Sequence, residues 1–127
     1  MRLLDTDIMI DIFRGFAPAL DWLDSLDDAP GLPGFVVMEL IDGCRDYRQV
    51  NEVRSKLSAF RVYWPTDSDA NRAILTFCRS HLSDGIGILD ALSAECAVGL
   101  GATLCTFNVK HFGPVGDLVT EQPYART

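Results

Sequence analysis

Arg2-Leu3-Leu4-Asp5-Thr6-Asp7-Ile8-Met9-Ile10-Asp11-Ile12-Phe13 is the stretch on which the reading of the fold turns. Residues 2–4 read as a short buried strand, and Asp5-Thr6-Asp7 as the polar turn that ends it. Ile8, Ile10, Ile12 and Phe13 then suit a short helix, with Asp7 or Thr6 as its N-cap.

Further helices and short strands follow along the chain. Gly15 stops the first helix, and Pro18 suits the first turn of a second, which carries Leu20, Trp22, Leu23 and Leu26. Pro30, Gly31, Pro33 and Gly34 read as a loop. Phe35-Val36-Val37 resumes an apolar run into Met38-Glu39-Leu40-Ile41, a strand turning into a helix. Val50, Val53, Leu57 and Phe60 recur at helical spacing over 49–60. Residues 61–64 read as a strand ended by Pro65, and Asp67 or Ser68 caps a helix reaching about residue 79. Gly85 and Gly87 precede a helix over 88–98, residues 102–105 form the next strand, and Leu118-Val119 a last short one. Short strands alternating with helices predict an α/β layer fold with a mainly parallel sheet. No repeat, linker or low-complexity segment interrupts the 127 residues, which read as one domain.

Composition narrows the function classes. The apolar share of 48% supports a real core, and a charged share of 23% is ordinary for a soluble fold. No run approaches the ~20 apolar residues of a membrane-spanning helix. Asp5, Asp7 and Asp11 interrupt what would be the apolar region of a signal peptide, so a cytoplasmic protein without membrane contact is expected. Cys44, Cys78, Cys96 and Cys105 show no CxxC spacing, which argues against a zinc knuckle or redox motif; three of them sit in apolar surroundings and read as small core residues. The net charge of −7 is the wrong sign for general nucleic-acid binding. The charge is uneven, however. Residues 45–61 carry Arg45, Arg48, Arg54, Lys56 and Arg61 against Asp46 and Glu52, a local balance of +3. That segment reads as a solvated helix face, or as a surface that steers RNA or meets a protein partner.

Three acids lie inside apolar runs: Asp5 after Leu3-Leu4, Glu39 within Val36-Val37-Met38-Glu39-Leu40-Ile41, and Asp90 within Ile88-Leu89-Asp90-Ala91-Leu92. The helix holding Asp90 is apolar on most faces and is expected to be buried. A buried unpaired carboxylate is costly and finds a cation or a proton. Each acid also has a plain structural use: Asp5 as a helix cap, Glu39 on a half-exposed helix face, Asp90 at the positive end of a helix. All three fall near strand ends or helix starts, which in an open α/β sheet surround the ligand crevice. Oxygen-only ligands favour Mg²⁺ or Mn²⁺, and with only His81 and His111 available zinc is disfavoured. Such a site suits phosphodiester hydrolysis.

Four motifs carry a family resemblance. Leu3-Leu4-Asp5-Thr6-Asp7-Ile8-Met9-Ile10-Asp11 resembles the opening motif of PIN domains, especially the VapC-type toxins. Met38-Glu39-Leu40 with Gly43 resembles the second acidic motif, and Leu89-Asp90-Ala91-Leu92-Ser93-Ala94 the third. Thr106-Phe107-Asn108-Val109-Lys110-His111-Phe112 resembles the block after the next strand. The four run in family order from residue 3 to 112. The resemblance implies a three-layer α/β/α fold and a Mg²⁺- or Mn²⁺-dependent endoribonuclease. It implies Asp5 and Asp90 as principal metal ligands, Glu39 completing the triad, and Thr6 and Thr106 positioning water or phosphate. It also implies a homodimer held inactive by a VapB-like antitoxin, whose C-terminal segment often places an Arg against the acidic pocket.

One position departs from the family pattern. Asn108 stands where many PIN domains have a fourth acid, which weakens a second metal site; Asp117 is a candidate replacement. Asp7 either reaches the outer shell of the site or caps the helix. Lys110 and His111 either contact RNA phosphate or close a loop. Trp22 and Trp64 are expected to pack rather than to stack on bases. A haloacid-dehalogenase-like phosphohydrolase shares the strand-Asp-x-Asp opening, but Met9 stands where it needs Thr or Val, and Asp67-Ser68-Asp69 matches its later acidic motif poorly. A receiver-type domain would place its acceptor aspartate at a strand end, whereas Asp90 lies in a helix. A non-catalytic module whose acids bind a basic partner is the remaining alternative.

Overall fold

The computed structural model describes residues 1–126. Five three-residue strands, β1 (Arg2–Leu4), β2 (Gly31–Pro33), β3 (Arg61–Tyr63), β4 (Thr103–Cys105) and β5 (Val119–Glu121), form one sheet in the order β3-β2-β1-β4-β5. Every pairing is parallel, with Leu4 opposite Cys105 and Cys105 opposite Glu121. Parallel neighbours require crossovers, and helices supply them. α1 (Thr6–Phe13) and α2 (Ala17–Ser25) lead to β2; α3 (Gly34–Asp42) and α4 (Tyr47–Leu57) lead to β3. α5 (Asp67–Asp84) and α6 (Ile88–Leu100) lead to β4, and the single turn α7 (Val109–Phe112) precedes β5.

Successive strand residues point to opposite faces, and each face builds its own core. Leu3 and Leu104 pack with Ala73 of α5, Ala91, Ala94 and Ala97 of α6, and Phe112 of α7. Leu4, Leu32 and Cys105 pack on the other side with Ile8 and Met9 of α1, Val36 of α3 and Leu57 of α4. The result is the expected three-layer α/β/α arrangement, with the sheet wholly rather than mainly parallel. Each fully buried leucine contributes on the order of 2 kcal/mol.

Several local expectations are corrected. The strand expected at 35–37 lies at Gly31–Pro33, in the stretch read as a loop, and Phe35-Val36-Val37 already belongs to α3. Close packing explains the shift: a Cβ on Gly31 would overlap the Tyr63 ring, and one on Gly34 the Trp64 indole. Small residues let two strands and an aromatic pair approach there. Thr66, not Asp67 or Ser68, caps α5, because its hydroxyl accepts from the Asp69 amide while Asp69 returns the bond to the Thr66 amide. α5 runs on to Asp84, and Gly85, at φ +70°, ends it. α6 is not buried all round: Ile88, Leu89 and Leu100 face outward while Ala91, Ala94 and Ala97 face the core. Cys96 and Cys105 are buried, Cys44 is half-buried and Cys78 is exposed. Trp22 packs against the second core and Trp64 meets Phe35 edge-on.

The order of strands fixes where a ligand can enter. From β1 the chain steps outward through β2 to β3, then returns to lay β4 on the other side of β1. The switch of direction between β1 and β4 opens a crevice at their carboxyl ends.

Candidate active site

Asp5 follows the last residue of β1 and Thr106 follows the last residue of β4, so strand register alone brings them side by side. The Asp5 amide donates to the Cys105 carbonyl (3.0 Å), continuing the ladder one residue past the strand. Asp5 is the N-cap of α1, in place of the expected Asp7 or Thr6. One of its oxygens, Oδ1, accepts from the Thr6 amide (2.8 Å), and the other, Oδ2, accepts from the Thr106 hydroxyl (2.9 Å). The capping and site readings of Asp5 thus share one side chain. Thr106 Oγ1 is completely buried and accepts in turn from the Asn108 amide (3.0 Å).

Asp7, in the first turn of α1, reaches the same loop rather than capping. Its Oδ2 accepts from the Phe107 amide (2.8 Å) and its Oδ1 from the Ile8 amide (2.8 Å). Glu39 lies in the second turn of α3, where its Oε2 accepts from the Thr6 hydroxyl (3.4 Å). The two threonine hydroxyls therefore donate to Asp5 and Glu39, orienting carboxylates rather than offering free donors to water or phosphate. Thr6 and Glu39 also line a cleft with Ile10, Phe13, Leu40 and Lys56, the last of which sits over the Phe13 ring.

Asp90 differs from expectation. It lies in the first turn of α6, half-buried, with Oδ2 at 3.0 Å from His111 Nε2. It is not an isolated buried carboxylate, because α7 folds back and presents His111 to it. Asn108 caps α7 with its backbone only; its side chain makes no capping bond and is exposed. Lys110 is exposed beside His111, and both line a depression with Phe107 and Asn108. Asp117 precedes β5 and so lies at the opposite, amino edge of the sheet, in a depression shared with Arg72 and Glu95. It does not stand in for the fourth acid.

The electrostatics are those of a site short of positive charge. Burial, then the neighbouring Asp7 and, more weakly, Asp90, push the Asp5 carboxyl up to about 6, against the opposing Thr6 and Thr106 donors. Burial and then Asp90 raise Glu39, with the Thr6 hydroxyl opposing. Burial also raises Asp7, against the Phe107 and Ile8 amides and the Arg126 charge. Among the described residues no lysine or arginine pairs with Asp5, Glu39 or Asp90. Among the same residues no three acidic, histidine or cysteine side chains converge closely enough to cage an ion.

Sequence reasoning missed a second layer. Asp11, one turn after Asp7 on α1, is buried and accepts from the Tyr124 hydroxyl (2.8 Å) and from Arg126 Nε (2.9 Å). An aspartate among Ile10, Ile12 and Phe13 was the available signal, but its partners lie over a hundred positions away.

Comparison with known proteins agrees with this architecture. The family model of the PIN domain matches residues 2–113. Ribonuclease VapC10 of Mycobacterium tuberculosis is 38% identical over 117 residues, spanning 88% of this chain and 86% of that protein. A toxin-antitoxin complex from Klebsiella pneumoniae contains a chain that superposes with a TM-score of 0.78 at 25% identity, covering 98% of both chains. A DNA-bound VapBC from Salmonella typhimurium shares the fold, with a TM-score of 0.80 at 19% identity over 94% of this chain and 96% of that one. The chain belongs to the PIN-domain family, in its VapC-type branch.

Proposed function

We propose that this protein is the toxin of a toxin–antitoxin pair, an endoribonuclease that hydrolyses RNA phosphodiester bonds with the help of a divalent cation. The observation that carries the reading is the placement of the site's acids at the sheet's switch point without a cationic partner. Asp5, Glu39 and Asp90 have no lysine or arginine partner among the described residues, and burial with Asp7 and Asp90 raises Asp5 to about 6. A hard cation that keeps several waters and uses only one or two carboxylates suits acids that repel one another without forming a cage. Asp5 and Asp90 would hold Mg²⁺ or Mn²⁺, with Glu39 completing the acidic set. When bound, such an ion supplies positive charge against the phosphate and lowers the pKa of a coordinated water.

The chain's own residues do the positioning. The Thr106 hydroxyl and Thr6 amide fix both oxygens of Asp5, and the Thr6 hydroxyl holds Glu39. His111 orients Asp90, which makes it a positioning residue rather than only a loop closure. The exposed Asn108 side chain, in a depression with Lys110 and His111, would meet a water or the substrate. No helix of the described residues is long and apolar enough to cross a membrane. A VapB-like antitoxin completes the proposal, supported by the toxin–antitoxin complexes among the structural relatives, and a homodimer is proposed with it from the family resemblance.

Cleavage of total cellular RNA by purified protein with Mg²⁺ or Mn²⁺, beside EDTA and Asp90→Asn, tests the reading. Discrete cuts, abolished by chelator and variant, are expected. Absence of metal-dependent cleavage by folded, antitoxin-free protein would favour a non-catalytic module.

A further inference from the structure

The loop that carries Thr106 is held from behind by the end of the chain. After β5 the chain turns back over α1. Tyr124 donates its hydroxyl to Asp11 Oδ2 and sets its ring against Phe107, centroids 5.1 Å apart. The Arg126 guanidinium lies over the Phe107 ring, 3.9 Å from its centroid. It donates to Asp11 Oδ2 (2.9 Å) and to the Asp7 carbonyl (3.3 Å). Phe107 is therefore held by a cation over its ring and by an edge-on phenol ring, and both groups end on one buried carboxylate of α1.

The clamp touches the site through a short relay. The Phe107 amide donates to Asp7 Oδ2, and the preceding residue, Thr106, donates to Asp5 Oδ2. A guanidinium stacked on an aromatic ring and paired with a desolvated carboxylate is a stiff contact, since the planar fork loses little freedom when it binds. Asp11 would otherwise be a buried acid without a counter-charge, a costly state. Neither Tyr124 nor Arg126 borders the acids Asp5, Glu39 and Asp90 directly, so their effect on chemistry passes through the loop.

We propose that Arg126 and Tyr124 are positioning residues: they brace Phe107 so that the Thr106 hydroxyl and the Phe107 amide stay in register with Asp5 and Asp7. The inference rests on the ribonuclease reading for its consequence on rate, but not for its consequence on the loop. Two measurements separate these. Amide hydrogen exchange on the metal-free protein reports the loop, and RNA cleavage at saturating substrate reports the chemistry.

In Arg126→Ala, protection of the Phe107 amide is expected to fall on the order of tenfold relative to the amides of β1 and β4. Cleavage at saturating RNA is expected to slow by about tenfold with KM little changed, the mark of misplaced groups rather than a lost substrate contact. Tyr124→Phe, which removes one hydrogen bond and keeps the ring, should give a smaller loss at the same amide. It decides the matter if the arginine variant does not fold. Protection lost evenly across the sheet would reduce the strap to a general staple and overturn the proposal. A raised KM with a shallower salt dependence, unchanged turnover and intact Phe107 protection would make Arg126 an RNA-phosphate contact and overturn it equally. If the wild-type protein does not cut RNA, the functional reading fails, and the exchange result alone still supports or sinks the strap.

Discussion

At Asp5 a single carboxylate accepts the helix-capping amide of Thr6 on one oxygen and the buried hydroxyl of Thr106 on the other. Burial and the negative neighbours Asp7 and Asp90 nevertheless raise it from 3.8 to about 6. The consequence for stability has a definite sign. Between about pH 4 and 6 the native state keeps a proton that the unfolded chain has released, so metal-free stability falls as pH rises through that window. A shift of this size corresponds to on the order of 3 kcal/mol. Urea unfolding across that range should show the decline in the wild type and a flatter profile in Asp5→Asn. Parallel profiles would mean that Asp5 is not the group responsible. The acid itself was legible, because a carboxylate behind Leu3-Leu4 interrupts an apolar run. Its Thr106 donor was not, because a hydroxyl in sequence carries no mark of which acid it will meet.

At the level of elements, α5 and α6 form the most extensive helix pair, and an ionic group seals it at one end. Arg72 of α5 pairs with Asp69 (2.6 Å) and with Glu95 of α6 (3.4 Å), and also donates to the Glu95 carbonyl (3.2 Å). The Asp69 and Glu95 side chains are 6% and 4% exposed, so the arginine is the cation on which both depend. Burial pushes Asp69 up, but the Thr66 amide and Arg72 together hold it below its ordinary range. Arg72→Ala should cost about 2–3 kcal/mol, because it strands two buried acids rather than deleting a surface pair. Thermal or denaturant unfolding would check this, and a loss within a few tenths of a kcal/mol would show that solvent reaches the acids. A capping residue made α5 readable, and two glycines before an apolar run made α6 readable. The start of α6 at Ile88 was legible too, but that of α5 was not, since its cap depends on a reciprocal bond between Thr66 and Asp69 rather than on the first acidic residue. Glu95, buried in α6 beside Arg72, could not be told from a solvent-facing glutamate by spacing alone.

For the molecule as a whole, the site gathers negative charge at the centre of a chain that already carries −7. A cation bound by the native state and not by the unfolded chain stabilises by mass action, about 1.4 kcal/mol at ten times its dissociation constant. Mn²⁺ or Mg²⁺ should therefore raise Tm in a saturable way, and Asp90→Asn should abolish most of the rise. An equal rise in that variant would place the ion elsewhere. The sequence by itself determined the alternation of strands and helices, the α/β class and the positions of the acids, because each is written in a short window of periodicity, turn chemistry or misplaced charge. Only the tertiary structure decided that β4 returns to the side of β1 and sets Thr106 against Asp5 across 101 positions, that His111 meets Asp90, and that Tyr124 and Arg126 close on Asp11. Those contacts depend on strand order and on how the layers pack, and both are settled by burial of the whole chain rather than by any segment of it.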